Sequence, residues 1–171
     1  MRMAQETHDS ENLDVFRRFL ATKPFPVDPA TARLESPPKP DGSCSRNGRL
    51  WYFELVRPVN PGIAEYSSQL QRAAQHSPEG MASGQAFAAP MGVGFVEAVE
   101  KKARKTYELG GAFLDLLIWI DRRADFTIAL SWPHVREPLR DSVARHVGRW
   151  HTVWVFDPVD GHVLDSIAGG A

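Results

Sequence analysis

Two acids stand where acids are costly. Asp41 follows Pro40 and precedes Gly42, and Glu54 lies inside the run Leu50-Trp51-Tyr52-Phe53-Glu54-Leu55-Val56. An ionised carboxylate among large apolar side chains is expensive to bury unless a cation, a metal ion or a raised pKa compensates it. Between the two acids, Ser45-Arg46-Asn47-Gly48-Arg49 contains an Asn-Gly dipeptide, the strongest short-range hairpin signal. Counting outward from that turn sets Asp41 opposite the neighbourhood of Glu54. Two carboxylates so placed repel each other, and a hard divalent ion, Mg²⁺ or Mn²⁺, resolves the repulsion. An ion held this way polarises a phosphoryl oxygen and lowers the pKa of a bound water.

A cationic partner is available farther along the chain. Phe95, Val99, Lys102 and Thr106 recur at i, i+4, i+7 and i+11, so Lys102 shares the apolar face of a helix, while Lys101 and Lys105 lie farther round it. Each of these residues also has an ordinary reading. Asp41 before a glycine suits a turn. Glu54 can pair with Arg57, Arg49 or a helix lysine. The lysines, interleaved with Glu97, Glu100 and Glu108, make a solvated face with pairs such as Glu97–Lys101. His134, His146 and His151 read as surface or capping residues, and Cys44 has no evident base beside it. Glu65, Gln69 and Arg72 read as a solvent face of a further helix. Gly92-Val93-Gly94 lacks the full glycine fingerprint of a phosphate loop. The five tryptophans fall mostly in strands, where packing is expected.

The positioning elements follow from pattern. Residues 1–9 are expected to be a flexible polar lead, and 10–171 a single α/β domain, since 171 residues at 43% hydrophobic bury one core. Ser10 reads as the N-cap of a short amphipathic helix carrying Leu13, Phe16, Phe19 and Leu20. An extended piece near Ala32–Glu35, the hairpin from Asp41 to Arg57, a helix over 64–75 and a long loop over 77–94 come next. A helix over 95–107 precedes an almost wholly apolar strand over 113–120. Phe126–Leu130 reads as another short strand, His134–Val147 as a helix, and 150–156 and 163–167 as the last strands. This order predicts a central mixed β-sheet flanked by helices. Charge is nearly balanced, 20 basic against 21 acidic residues, so any phosphate-binding surface has to be a local patch. One cysteine leaves no internal disulfide or multi-cysteine zinc site, and no apolar run reaches membrane-spanning length. A cytoplasmic protein without a membrane partner is the expectation.

Pro40-Asp41 followed by Glu54-Leu55-Val56 on the next strand resembles the PD-(D/E)XK nuclease superfamily, whose restriction-endonuclease-like core runs helix, three strands, helix, strand. Lys101-Lys102-Ala103-Arg104-Lys105 and the strand after the Gly110-Gly111 turn are similar to the lysine-bearing helix and buried strand of many members. The resemblance implies metal binding by Asp41, Glu54 and the Leu55 carbonyl, with Lys102 orienting the attacking water. Members usually carry a lysine two residues after the second acid, where this chain has Val56. The resemblance thus implies either a metal-dependent endonuclease hydrolysing DNA or RNA, with homodimerisation a property of related folds, or an inactive binding or assembly module.

Overall fold

The computed structural model describes residues 2–22, 26–58, 93–121 and 127–170. The expected helix over 64–75, most of the expected loop over 77–94, and Glu65, Gln69, Arg72, Gly92 and Phe126 lie outside the described residues. The elements in chain order are α1 (Arg2–Leu20), β1 (Arg33–Leu34), β2 (Gly42–Arg46), β3 (Arg49–Val56), α2 (Val93–Ala103), β4 (Phe113–Trp119), α3 (Thr127–Ala144), β5 (Thr152–Asp157) and β6 (His162–Ala168). The six strands form one mixed sheet in sequence order. β1, β2 and β3 pair antiparallel, β3, β4 and β5 run parallel, and β6 returns antiparallel. Parallel neighbours need long crossovers, and α2 and α3 lie in the two connections. The fold is therefore α/β with a mixed sheet flanked by helices, as expected.

Each face of the sheet has its own core. Val15, Phe16, Phe19 and Leu20 of α1 pack on Trp51, Phe53, Leu55, Leu117, Trp119, Trp154 and Phe156. The opposite face packs Tyr52, Leu116, Ile118, Val153 and Val155 against Phe95 and Val99 of α2 and Val135, Leu139 and Val143 of α3. Alternation along β3 divides it between the cores, so Glu54 points to the α2 side with Tyr52.

The hairpin forms at the Asn-Gly dipeptide: Asn47 and Gly48 have φ of 51° and 72°, and Arg46 pairs with Arg49. Gly42 then faces Phe53, so Asp41 arrives beside Glu54. Two elements depart from expectation. α1 begins at Arg2, so Ser10 lies within the helix; it is exposed there, and Met3-Ala4-Gln5-Glu6 are good helix formers upstream of it. Residues 127–130, expected as a strand, form the start of α3. A short apolar run does not distinguish strand from helix by periodicity. Val135, Leu139 and Val143, buried at helical spacing, carry α3 through Pro133 and Pro138.

Candidate functional site

Asp41, Glu54 and Lys102, from three separate elements, meet at one nitrogen. Lys102 Nζ donates to Asp41 Oδ2 at 2.6 Å and also contacts Glu54 Oε2. Lys102 reaches the sheet because Phe95, Val99 and Lys102 are all buried on one face of α2. Thr106 lies beyond the end of that helix and is exposed. Leu55 approaches the cluster through its backbone N–H, which donates to Asp41 Oδ2 at 3.0 Å.

Glu54 is 0% exposed, and its side chain has two cations. Lys105 Nζ donates to Oε2 at 3.4 Å from a side chain that is 42% exposed. Lys101 and Lys105 are both exposed, as the solvated-face reading has them, and Lys105 in addition reaches Glu54. Glu54 Oε1 and Tyr107 Oη are both buried; neither makes a hydrogen bond of full geometry among the described residues, but the Tyr107 hydroxyl lies close enough to the Glu54 carboxylate to interact with it. Burial, and after it the neighbouring Glu54 carboxylate, push the Tyr107 hydroxyl above its ordinary range. The Arg149 guanidinium covers the Tyr107 ring at 5.1 Å.

Burial opposes charge on both Asp41 and Lys102, and in each case the partners win. The Lys102 charge and hydrogen bond, with the Leu55 N–H, hold the Asp41 carboxyl below its ordinary value. The charges of Glu54 and Asp41 and their hydrogen bonds hold the Lys102 ammonium above its own. The cluster opens into a cleft of about 520 Å³ whose lining includes Asp9, Asn12, Glu35, Ser36, Asp41 and Lys102. Ser43 Oγ donates to Glu35 Oε1 at 2.6 Å, and that bond chiefly holds Glu35 in its charged form. The cleft wall thus carries three acids and one buried ammonium among polar and apolar neighbours, and no group of three or more metal-ligating side chains occurs among the described residues.

Other acids and nucleophiles are accounted for by the fold. Asp115 is wholly buried and accepts from Trp154 Nε1 at 2.9 Å and from the Thr152 N–H at 3.0 Å. Glu100 accepts from Ser142 at 3.0 Å and Arg145 at 2.9 Å and pairs with His146 at 2.8 Å, joining α2 to the end of α3. Cys44 is buried, and burial pushes its thiol up to about 12, which leaves it inert as a nucleophile at neutral pH. Lys105 and Tyr107 are the two site residues that pattern did not single out. The signal for them is a basic and an aromatic residue just past the helix end, where the chain turns back toward β4.

No protein-family model matches the chain, and no curated protein or solved structure is significantly similar to it.

Proposed function

We propose that the protein is a metal-dependent phosphodiesterase that hydrolyses DNA or RNA, with Asp41, Glu54 and Lys102 as its working residues. One observation carries this reading: Asp41, the residue before β2, and Glu54 of β3 converge on a buried lysine that lines a cleft together with Asp41. Val56 leaves the usual lysine position empty, and Lys102 supplies the ammonium from α2 instead. The order helix, three strands, helix, strand from α1 to β4 is in keeping with a nuclease-like core.

Two carboxylates and a backbone carbonyl would be the donors for a divalent ion, which would share them with Lys102. Glu54 Oε1 is a buried carboxylate oxygen with no hydrogen bond of full geometry among the described residues and the Tyr107 hydroxyl as its polar neighbour, a demand that a cation would satisfy. Asp41 and Glu54 would hold Mg²⁺ or Mn²⁺, with the Leu55 carbonyl as a further oxygen donor. The bound ion supplies charge neutralisation at the phosphate and an acidified water. Lys102 has three N–H donors and uses two on the carboxylates. The third can orient a water or a phosphoryl oxygen. Its raised pKa keeps it protonated at neutral pH, so it acts as a fixed positive charge and hydrogen-bond donor. Tyr107, protonated in the same range, can donate toward Glu54 and steady that oxygen.

A second reading has its own observation. Lys102 bonds both carboxylates directly, so the ammonium itself balances them, as in a nuclease-fold module that binds or assembles without cutting. Cleavage of plasmid and single-stranded DNA in Mg²⁺ or Mn²⁺ separates the two. Activity that is lost in Asp41→Asn and in Glu54→Gln supports the hydrolase. A wild-type protein with no metal-dependent cleavage, or cleavage that survives both substitutions, rejects it.

A further inference from the structure

The other end of β3 carries a second group of side chains, apart from the acids. β3 and β4 begin side by side, with Trp51 in register with Phe113. The Arg46 guanidinium lies over the Trp51 ring, 5.0 Å from its centroid. Trp51 in turn stacks on Phe113, with centroids 4.6 Å apart and planes 25° apart. His151 meets both rings edge-on at 5.0 and 5.2 Å. These neighbours enclose Trp51, whereas Phe113 stays 36% exposed and belongs to neither core cluster.

Phe113 also stands between two hollows. One, of about 540 Å³, is lined by Arg46, Asn47, Arg49, Trp51, Phe113 and His151. The other, of about 620 Å³, shares Arg49 and Phe113 and extends to Gly110 and Gly111. The glycines take φ of 56° and 83°, and nothing lies within 4 Å of where a Cβ would stand on either, so the turn is open as well as tight. An aromatic ring at the exposed end of a stack leaves favourable contact unmade. Arg49, exposed on the same lining, supplies forked donors for an anion, and Arg46 beside it adds positive charge while covering Trp51. In a chain of net charge −1 the first hollow, with Arg46, Arg49 and no acid on its lining, is a local basic patch beside an aromatic surface, while Glu108 lines the second.

We propose that this surface binds one nucleotide unit, its base stacked on Phe113 and its phosphate held by Arg49. A planar ring joined to an anion uses both features, whereas an acidic peptide uses only the arginines. Stacking on a ring accepts any base, so the site favours unpaired nucleic acid over duplex, in which the base faces are already covered. The proposal extends the phosphodiester reading by adding a holding point for a strand. It needs no metal and no cleavage.

Fluorescence anisotropy of a labelled oligothymidylate in EDTA reads this binding alone. The full chain is expected to bind single strand more tightly than duplex, and thymidine monophosphate is expected to compete. Phe113→Ala should weaken binding about fivefold or more, the loss of one stacked base, and Phe113→Tyr should retain it. Arg49→Ala, at an exposed residue whose loss the fold tolerates, should weaken binding and reduce its salt dependence. Absence of binding by the wild type overturns the proposal. So does an affinity unchanged in both Phe113→Ala and Arg49→Ala, or equal competition by inorganic polyphosphate in the wild type and Phe113→Ala. A wild-type protein that binds strand in EDTA without cleaving in Mg²⁺ fails the hydrolase reading alone, and one that cleaves without binding in EDTA fails this proposal alone, so the two failures remain distinguishable.

Discussion

Glu54 and Asp115 are both acids set in apolar strands, and both are wholly withdrawn from solvent. The same sequence signal marks each of them, but only their surroundings tell them apart. Both Asp115 oxygens receive hydrogen bonds from Trp154 and Thr152, whereas Glu54 keeps one oxygen without a hydrogen bond of full geometry among the described residues and leans on two lysines. Burial pushes the Asp115 carboxyl from 3.8 up to about 7, against the pull of those hydrogen bonds. Between about pH 4 and 7 the folded protein therefore holds a proton that the unfolded chain releases, and Asp115 lowers stability as pH rises across that window, by on the order of 3–4 kcal/mol at most. Urea titrations of Asp115→Asn should show a flatter dependence over that range, at a cost of about 1 kcal/mol for one mismatched hydrogen bond. Asp41 and Lys102 act with the opposite signs at the extremes. The Asp41 contribution is present above its ordinary 3.8 and is lost as pH falls through its lowered value; the Lys102 contribution is present below 10.5 and is lost as pH rises through its raised one. Removing the ammonium leaves buried Glu54 with only the longer contact to half-exposed Lys105, so Lys102→Met should cost about 3–5 kcal/mol in chemical denaturation. Adding Glu54→Leu should recover most of that loss.

At the scale of elements, local chemistry was readable wherever a turn or a period is strong. Asn47-Gly48 announces the β2–β3 hairpin, and its register alone brings Asp41 to Glu54. The period of Phe95, Val99 and Lys102 aims the lysine inward before any coordinate is known. Three features were hidden for physical reasons. Ser10 is a good cap, but an exposed serine inside a helix costs little, so α1 runs through it. Phe126–Leu130 is too short for periodicity to separate strand from helix. Lys105 and Tyr107 follow the end of α2, where contacts depend on how the chain returns to β4 rather than on helical spacing. The hairpin offers a test at its own scale. Gly48 takes φ of 72° in open space, so Gly48→Val should destabilise the protein by about 1–2 kcal/mol through backbone strain alone. The same substitution should weaken the Asp41–Glu54 register, read as a loss of Mn²⁺ binding beyond that caused by the stability change. On the opposite face, Phe19 is fully buried against Phe53, Trp154 and Phe156, and Phe19→Ala should cost about 3–5 kcal/mol as α1 loosens.

For the whole molecule, a near-neutral chain has no general attraction for nucleic acid, so the proposed phosphate chemistry and the proposed strand binding each have to be local. The sheet separates them along β3, with Arg49 and Trp51 at its start and Glu54 and Leu55 near its end. No helix among the described residues is long and apolar enough to cross a membrane. The central claim is that Asp41 and Glu54 form a cation site which the Lys102 ammonium shares. Calorimetric titration of Mn²⁺ into wild type, Glu54→Gln and Lys102→Met tests it most directly. The expected result is one ion per chain in the wild type, loss of binding in Glu54→Gln, and tighter binding in Lys102→Met, where the competing ammonium is gone. Absence of Mn²⁺ binding in both the wild type and folded Lys102→Met would contradict the account and leave the three residues as a structural ion cluster.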